Sequence, residues 1–356
     1  MDQVLPTPSD PRLRERWVKD AREYVKLAEA ENGEIPAPVD WTYIWGHALD
    51  VLDREAPEVR IVNLETSVTT SDDPWPGKGI HYRMHPANVP CLTAAGVDCC
   101  VLANNHVLDW GREGLRETLG VLREARISTA GAGRSLAAAS GPAILAPRSL
   151  RGSRVLVFGL GVATSGVPRD WAATDDRSGV RFVDRPNEET VRRLGADVER
   201  VRRPGDLVVV SIHWGPNWGY DIPGTHREFA HALIDEAGVD AIHGHSSHHP
   251  LGIEIYRHRP ILYGCGDFLN DYEGIGGREE YRGELSLMYF PSFAPASRRL
   301  RALRLVPCRI ERFRLRPASE AESAWLRRTL DRESRPLGAR VVEAEDGTLE
   351  VREARV

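Results

Sequence analysis

Four histidines fall within eight residues at Ile242-His243-Gly244-His245-Ser246-Ser247-His248-His249, in a chain that holds only 12 histidines among 356 residues. A neutral imidazole is the commonest metal ligand, and its charge changes near neutral pH. The corner therefore reads first as a metal site and second as an acid/base site, against the plain alternative of a solvated polar loop. Three other short runs carry matching chemistry: Glu65 after Val59 to Val62, Asn105-His106 with Asp109 after Asp98 to Ala103, and His213 after Leu207 to Ile212. A carboxylate, an amide oxygen and imidazoles suit Mn²⁺, Fe²⁺ or Zn²⁺ and argue against Ca²⁺, which takes an all-oxygen shell. With two such ions about 3.5–4 Å apart, one carboxylate bridges them and a bound water becomes the hydroxide that attacks a phosphorus or carbonyl in line. His106 then serves as general acid for the leaving group, and Asp109 holds its tautomer.

The elements that must position these groups follow from periodicity. Val59 to Val62, Asp98 to Ala103, Ile127 to Ala130, Val155 to Leu160, Leu207 to Ile212 and Val239 to Ile242 are short apolar, β-rich runs. Helical spacing separates several of them, at Glu113 to Ala125, Glu188 to Val201 and Thr225 to Ala237. Alternating strands and helices imply an α/β fold with parallel strands, whose carboxyl ends collect ligands. Near the start, helices are predicted from about Leu13 to Ala30 and from Ile44 to Arg54. Ile253 to Tyr256 and Ile261 to Tyr263 read as a hairpin. Gly131-Ala132-Gly133 reads as a strand-to-loop corner rather than a phosphate cradle. The simplest partition is one domain over 1–315 and a C-terminal appendage over 316–356, a helix followed by a hairpin.

The loop from Trp75 to Asn88, rich in Pro and Gly, is long enough to be functional. Its Arg83 is a candidate grip for a substrate carboxylate or phosphate, because a guanidinium donates in a fork. Trp214, Trp218 and Tyr220 could form a platform for a sugar or peptide, or pack in the core.

The 47 basic and 52 acidic residues give a net charge of −5, which offers no polycationic surface for nucleic acid. No run approaches the ~18 apolar residues of a membrane span. Five cysteines without paired spacing read as reduced thiols in a cytoplasmic protein.

Asn63-Leu64-Glu65, Ala103-Asn104-Asn105-His106 with Asp109-Trp110-Gly111, Gly131-Ala132-Gly133, Ser211-Ile212-His213-Trp214-Gly215, and Gly244-His245 through Ile253-Glu254-Ile255-Tyr256 together resemble the poly-gamma-glutamate capsule biosynthesis family, CapA. That family is similar to the calcineurin-like metallophosphoesterases, which implies a two-sheet αββα sandwich. The resemblance places Glu65 as the bridging carboxylate, Asn105-His106 as the Asn-His pair, His213 as the isolated histidine, and His245 and His248 as the closing His-x-His. Three departures stand out. The closing motif is His-Ser-Ser-His, one residue longer. Asp267 stands where the family pattern has Asn. The opening strand ending in a ligating Gly-Asp is missing from the chain's beginning. Met1 to Pro6 resembles the residues just downstream of that strand, which predicts a short upstream segment that could carry targeting information; the competing expectation is that the strand is truly lost.

The expected function is a metal-dependent hydrolase or transferase acting on a phosphoester or an amide-linked glutamyl polymer, with Asp267 and Trp214 beside the substrate. Two rivals are a metal-independent acid/base enzyme such as a peptide epimerase, and a noncatalytic accessory protein that binds polymer.

Overall fold

The computed structural model describes residues 1–16, 18–148 and 152–354. It is a mixed α/β protein built on three main sheets. In the first, strands β1 (Ile61–Asn63), β2 (Cys99–Val101) and β3 (Ser128–Ala130) run parallel in that order. The second holds β4 (Ala143–Leu145), β5 (Val155–Val162), β6 (Phe182–Val183), β7 (Leu207–His213), β8 (Ala241–His245), β9 (Ile253–Tyr256) and β10 (Arg259–Leu262), in the order β6-β5-β7-β8-β10-β9 with β4 antiparallel on β5. The third is antiparallel, with β11 (Leu285–Phe293), β12 (Leu300–Ile310), β13 (Leu315–Pro317), β14 (Ala339–Glu343) and β15 (Leu349–Glu353) ordered β11-β12-β15-β14 and β13 on β12.

Alternation along the strands sets the layers. Cys100 and Leu102 face an apolar core shared with α2 (His47–Glu55) and α3 (Gly111–Glu124), whereas Cys99 and Val101 face Val155, Val157 and Val209 of the second sheet. Leu156, Phe158, Val210 and Ile212 turn the other way, onto α4 (Glu188–Val201) and α5 (Gly224–Asp235). The order is thus helices, sheet, sheet, helices.

At Gly131 the first two sheets approach each other closely. The residue has φ +82, and a Cβ there would lie 2.6 Å from Ala103 Cβ and 2.8 Å from Gly159 Cα, so the corner is close packing between backbones. Gly131→Ala is expected to lower stability by about 1–3 kcal/mol. Gly120→Ala in α3, where a Cβ meets nothing within 4 Å, should be neutral or stabilising. Urea midpoints of the two variants check this.

Several boundaries differ from those predicted. The first helix, α1 (Arg22–Asn32), begins well after Leu13, because Arg12 and Asp20 form an antiparallel bridge and an Asp20 carboxylate oxygen accepts the Arg22 N–H at 2.9 Å. Strand β8 does not stop at Ile242. It continues through His245, paired in register with Ser211 to His213 of β7, so half of the histidine corner is strand. The C-terminal residues do form a helix, α6 (Glu320–Ser334), and a hairpin, β14 with β15. They share one apolar core with Ile253 and Leu262, and β15 pairs with β12, which ties residues 316–354 to the sheets.

Among the described residues β1 pairs with β2 alone and β11 with β12 alone. Consecutive residues of both strands, 59–65 and 287–293, line one cavity of about 1130 Å³. Because successive side chains alternate faces, consecutive lining residues mean that each strand turns its backbone edge to the cavity. The cavity reaches Glu65, His248 and Asp267.

Candidate functional site

The parallel strands of the first two sheets end on one side, and their last residues meet. Glu65 lies two residues past β1, Asn105 four past β2, and His213 ends β7. His213 Nε2 is 3.1 Å from Asn105 Oδ1 and 3.6 Å from Glu65 Oε1. Asn104, absent from the sequence candidates, fixes this meeting. Its Oδ1 accepts the N–H groups of His106 and Val107 at 3.1 Å each, and its Nδ2 donates to Asn63 Oδ1 and the Leu64 carbonyl. One buried amide thereby staples the β1 loop to the β2 loop with every hydrogen-bonding group used.

Behind His213 stands a line of neutral imidazoles. His213 Nδ1 meets His245 Nδ1 at 2.7 Å, and His245 Nε2 meets Ser211 Oγ at 2.9 Å. Ser211 Oγ in turn meets His243 Nδ1 at 2.9 Å. His245 therefore holds His213 in place with both of its own nitrogens engaged. His248 takes other partners: its Nδ1 is 3.0 Å from both Asp267 oxygens and its Nε2 is 3.0 Å from Asn217 Nδ2. The extra residue of His-Ser-Ser-His is absorbed at Ser246, which turns the chain at φ 115 with its hydroxyl donating to the Gly215 carbonyl. That conformation costs a non-glycine residue about 1–3 kcal/mol.

His106 and Asp109 form a second group beside the first. His106 Nδ1 is 2.7 Å from Asp109 Oδ2, the ring stacks on Tyr82 at 4.0 Å, and Asp109 is fully buried. Lys78 completes it, donating to Asp109 Oδ1 and lying 3.0 Å from His106 Nδ1. Sequence reasoning missed Lys78, although it lies in the Trp75 to Asn88 loop that reasoning marked as functional. A lysine near an Asn-His-x-x-Asp run, in a loop long enough to fold over it, was the available signal.

Two substrate candidates are committed elsewhere. Arg83 donates to Asp72 and to the Ser71 and Asp10 carbonyls with its guanidinium 4.0 Å over Trp110, so it anchors its loop. Trp214 is 3% exposed, stacks between His226 and Tyr263, and donates Nε1–H to the Tyr263 carbonyl, which makes it a core residue rather than a platform.

Burial governs the electrostatics. It pushes the Glu65 carboxyl up to about 7, with Asp267 adding to the rise, although the side chain stays 26% exposed into the cavity. It lowers His106 against the pull of Asp109, and lowers Lys78 against the same carboxylate. At His248 burial opposes the charge, but Asp267 outweighs it and the pKa rises. Burial drives His213 and His245 well below the usual range and holds His243 and His249 at about 4. Unfolded histidines take up protons near pH 6.5, so between there and about pH 4 the unfolded chain binds more protons than the folded one. Stability is expected to fall as the pH drops through that window. Urea midpoints that stay constant from about pH 7 to about pH 4.5 would contradict it.

The donor set fits a divalent cation. Metal–ligand bonds of about 2.0–2.2 Å set neighbouring ligand atoms about 3.0–3.5 Å apart, close to the separations of Asn105 Oδ1 and Glu65 Oε1 from His213 Nε2. No three of His, Cys, Asp and Glu are disposed to hold a metal ion among the described residues.

A model of the bacterial capsule synthesis protein family PGA_cap matches residues 8–272. The chain belongs to this family. It is 49% identical over 352 residues to a probable polyglutamine synthesis accessory protein of Mycobacterium tuberculosis, covering 99% of this chain and 92% of that one. It is 32% identical over 201 residues to the PGA biosynthesis protein CapA of Bacillus subtilis, covering 54% of this chain and 48% of that protein. A capsule biosynthesis protein CapA of Bacillus anthracis matches at 27% over 194 residues. No helix among the described residues is long and apolar enough to cross a membrane.

Proposed function

We propose that this PGA_cap protein is a hydrolase or transferase of an amide-linked glutamyl polymer, on a calcineurin-like αββα fold. The layer order of helices, sheet, sheet, helices supports that fold, and the names of the relatives support the polymer. The carrying observation is the crowding of Glu65 Oε1, Asn105 Oδ1 and His213 Nε2 beside the His106–Asp109–Lys78 group. Atoms bearing lone pairs held this close in a buried pocket need a cation or a proton between them.

Glu65, Asn105 and His213 are the residues that would hold Mn²⁺, Fe²⁺ or Zn²⁺. Such an ion, when bound, polarises a carbonyl or phosphoryl oxygen and acidifies a water. The rest falls to the chain's own groups. Neutral His106, with Nδ1–H donated to Asp109, takes a proton from the attacking water at Nε2 and passes it to the leaving nitrogen. Asp109 keeps the tautomer, and Lys78 holds Asp109 in place through its other carboxylate oxygen.

The test is metal analysis of the purified protein together with product analysis by mass spectrometry on amide-linked glutamate oligomers. About one divalent ion per chain, lost in Glu65→Gln, with cleavage that stops on chelation, is the expected result. Metal-loaded protein that leaves the oligomers and their phosphoester analogues intact would overturn it. The Glu65 carboxyl near 7 favours a second reading, in which a proton occupies the cluster and the pocket epimerises a peptide Cα. Metal-free protein that exchanges solvent deuterium into such a carbon would select it. Polymer production undiminished in a strain carrying His106→Gln would select a binding role instead.

A further inference from the structure

The structure assigns a polymer-binding subsite to the aromatic wall of Trp218 and Tyr281, backed by the buried His249 ring, with Arg278 at its rim; this rests on the glutamyl-polymer reading above. The ligand class is a flexible chain with planar amides and pendant carboxylates, bound on the units next to the reacting bond.

Three separate segments build the wall. Trp218 and Tyr220 come from the loop after β7, His248 and His249 from the loop after β8, and Tyr281 from the short 3-10 turn Glu279–Tyr281. The His249 ring stacks on Tyr281 at 4.3 Å and on Trp218 at 6.0 Å, and Trp218 lies 5.3 Å from Tyr281. The wall is continuous with the candidate site, because Trp218 is also 5.3 Å from the His248 ring, whose Nδ1 is bound by Asp267. Trp214 shows what a packing tryptophan looks like here: buried, stacked on both sides, and hydrogen bonded to backbone. Trp218, Tyr220 and Tyr281 instead remain only partly buried.

Arg278 gives the wall its chemical preference. It is exposed, its guanidinium lies 5.6 Å over Trp218, and it enters no ion pair among the described residues. Arg332, over Tyr220 at 5.2 Å, is by contrast paired with Glu333. A guanidinium held on a ring and free of acids offers a ready fork for a carboxylate, while the rings take the flat amide faces. In a chain of net charge −5 a polyanion needs such local cations.

The test measures binding of amide-linked glutamate oligomers of increasing length to the full chain by calorimetry, and steady-state cleavage of the same oligomers. Wild-type affinity is expected to rise with length. Arg278→Ala and Trp218→Ala should each lose that increment, about tenfold for the longest oligomer, raising KM with kcat unchanged, and Arg278→Lys should recover part of it. Arg278 is exposed, so its variants fold even if Trp218→Ala does not. Wild-type protein that binds the oligomers while Arg278→Ala and Arg278→Lys bind them equally well would remove the subsite alone. Wild-type protein that binds no oligomer would remove the polymer reading and the subsite with it.

Discussion

His106→Gln is expected to slow cleavage of amide-linked glutamate oligomers by about 10²–10⁴-fold, the usual contribution of one positioned proton-transfer group. The expectation rests on the ring's partners: Nδ1 is bound to a fully buried carboxylate, and Nε2 has no hydrogen-bond partner among the described residues. Glutamine replaces most of the ring's volume against Tyr82, so lost activity reports chemistry rather than a collapsed pocket. Single-turnover rates and a melting curve on the same preparation separate the two. A variant that is folded and turns over like wild type would strip His106 of its role.

Asp109→Ala is expected to cost about 3–5 kcal/mol of stability, because it leaves a buried ammonium without its counter-charge. The Lys78 side chain is 15% exposed and Asp109 is not exposed at all, so little solvent reaches the pair. The His106 ring and the Tyr82 N–H, both 2.7 Å from Asp109 Oδ2, lose a partner as well. Adding Lys78→Met removes the stranded charge, and the double variant should regain part of the loss. A denaturant double-mutant cycle reads this coupling; simple additivity of the two substitutions would mean that Lys78 and Asp109 do not act as a pair.

The groups that sequence alone located share one property. Glu65, Asn105, His106, Asp109 and His213 sit at the carboxyl ends of apolar runs, and parallel strands bring such ends together whatever lies between them. What sequence did not reveal depends on contacts across long separations. Lys78 reaches Asp109 only because the Trp75 to Asn88 loop folds over it, and no periodicity encodes that path. Asn104 looked like a neighbour of the motif, yet it is the amide that joins two loops. Arg83 and Trp214 went the other way. A forked cation and a large ring serve packing as readily as recognition, and only burial and partners distinguish the two uses. The family resemblance pairs His245 with His248 despite the extra residue between them, but the strand continues one turn of alternation further than its apolar residues indicated. The first imidazole therefore lies behind His213 and the second beside Asp267.

The cavity bounded by the free edges of β1 and β11 makes the site a seam between independently bonded sheets. Glu65, past β1, lines one side of it, and His248 and Asp267, past β8 and β10, line another. Any ligand or ion gripped by both acts as a clasp across the seam, and it binds the folded state while the unfolded chain offers no such clasp. By mass-action linkage, occupancy at a hundred times the dissociation constant adds about 2.7 kcal/mol to global stability. Thermal shift in the presence of candidate ions or oligomers therefore reports occupancy of this pocket before any turnover is measured.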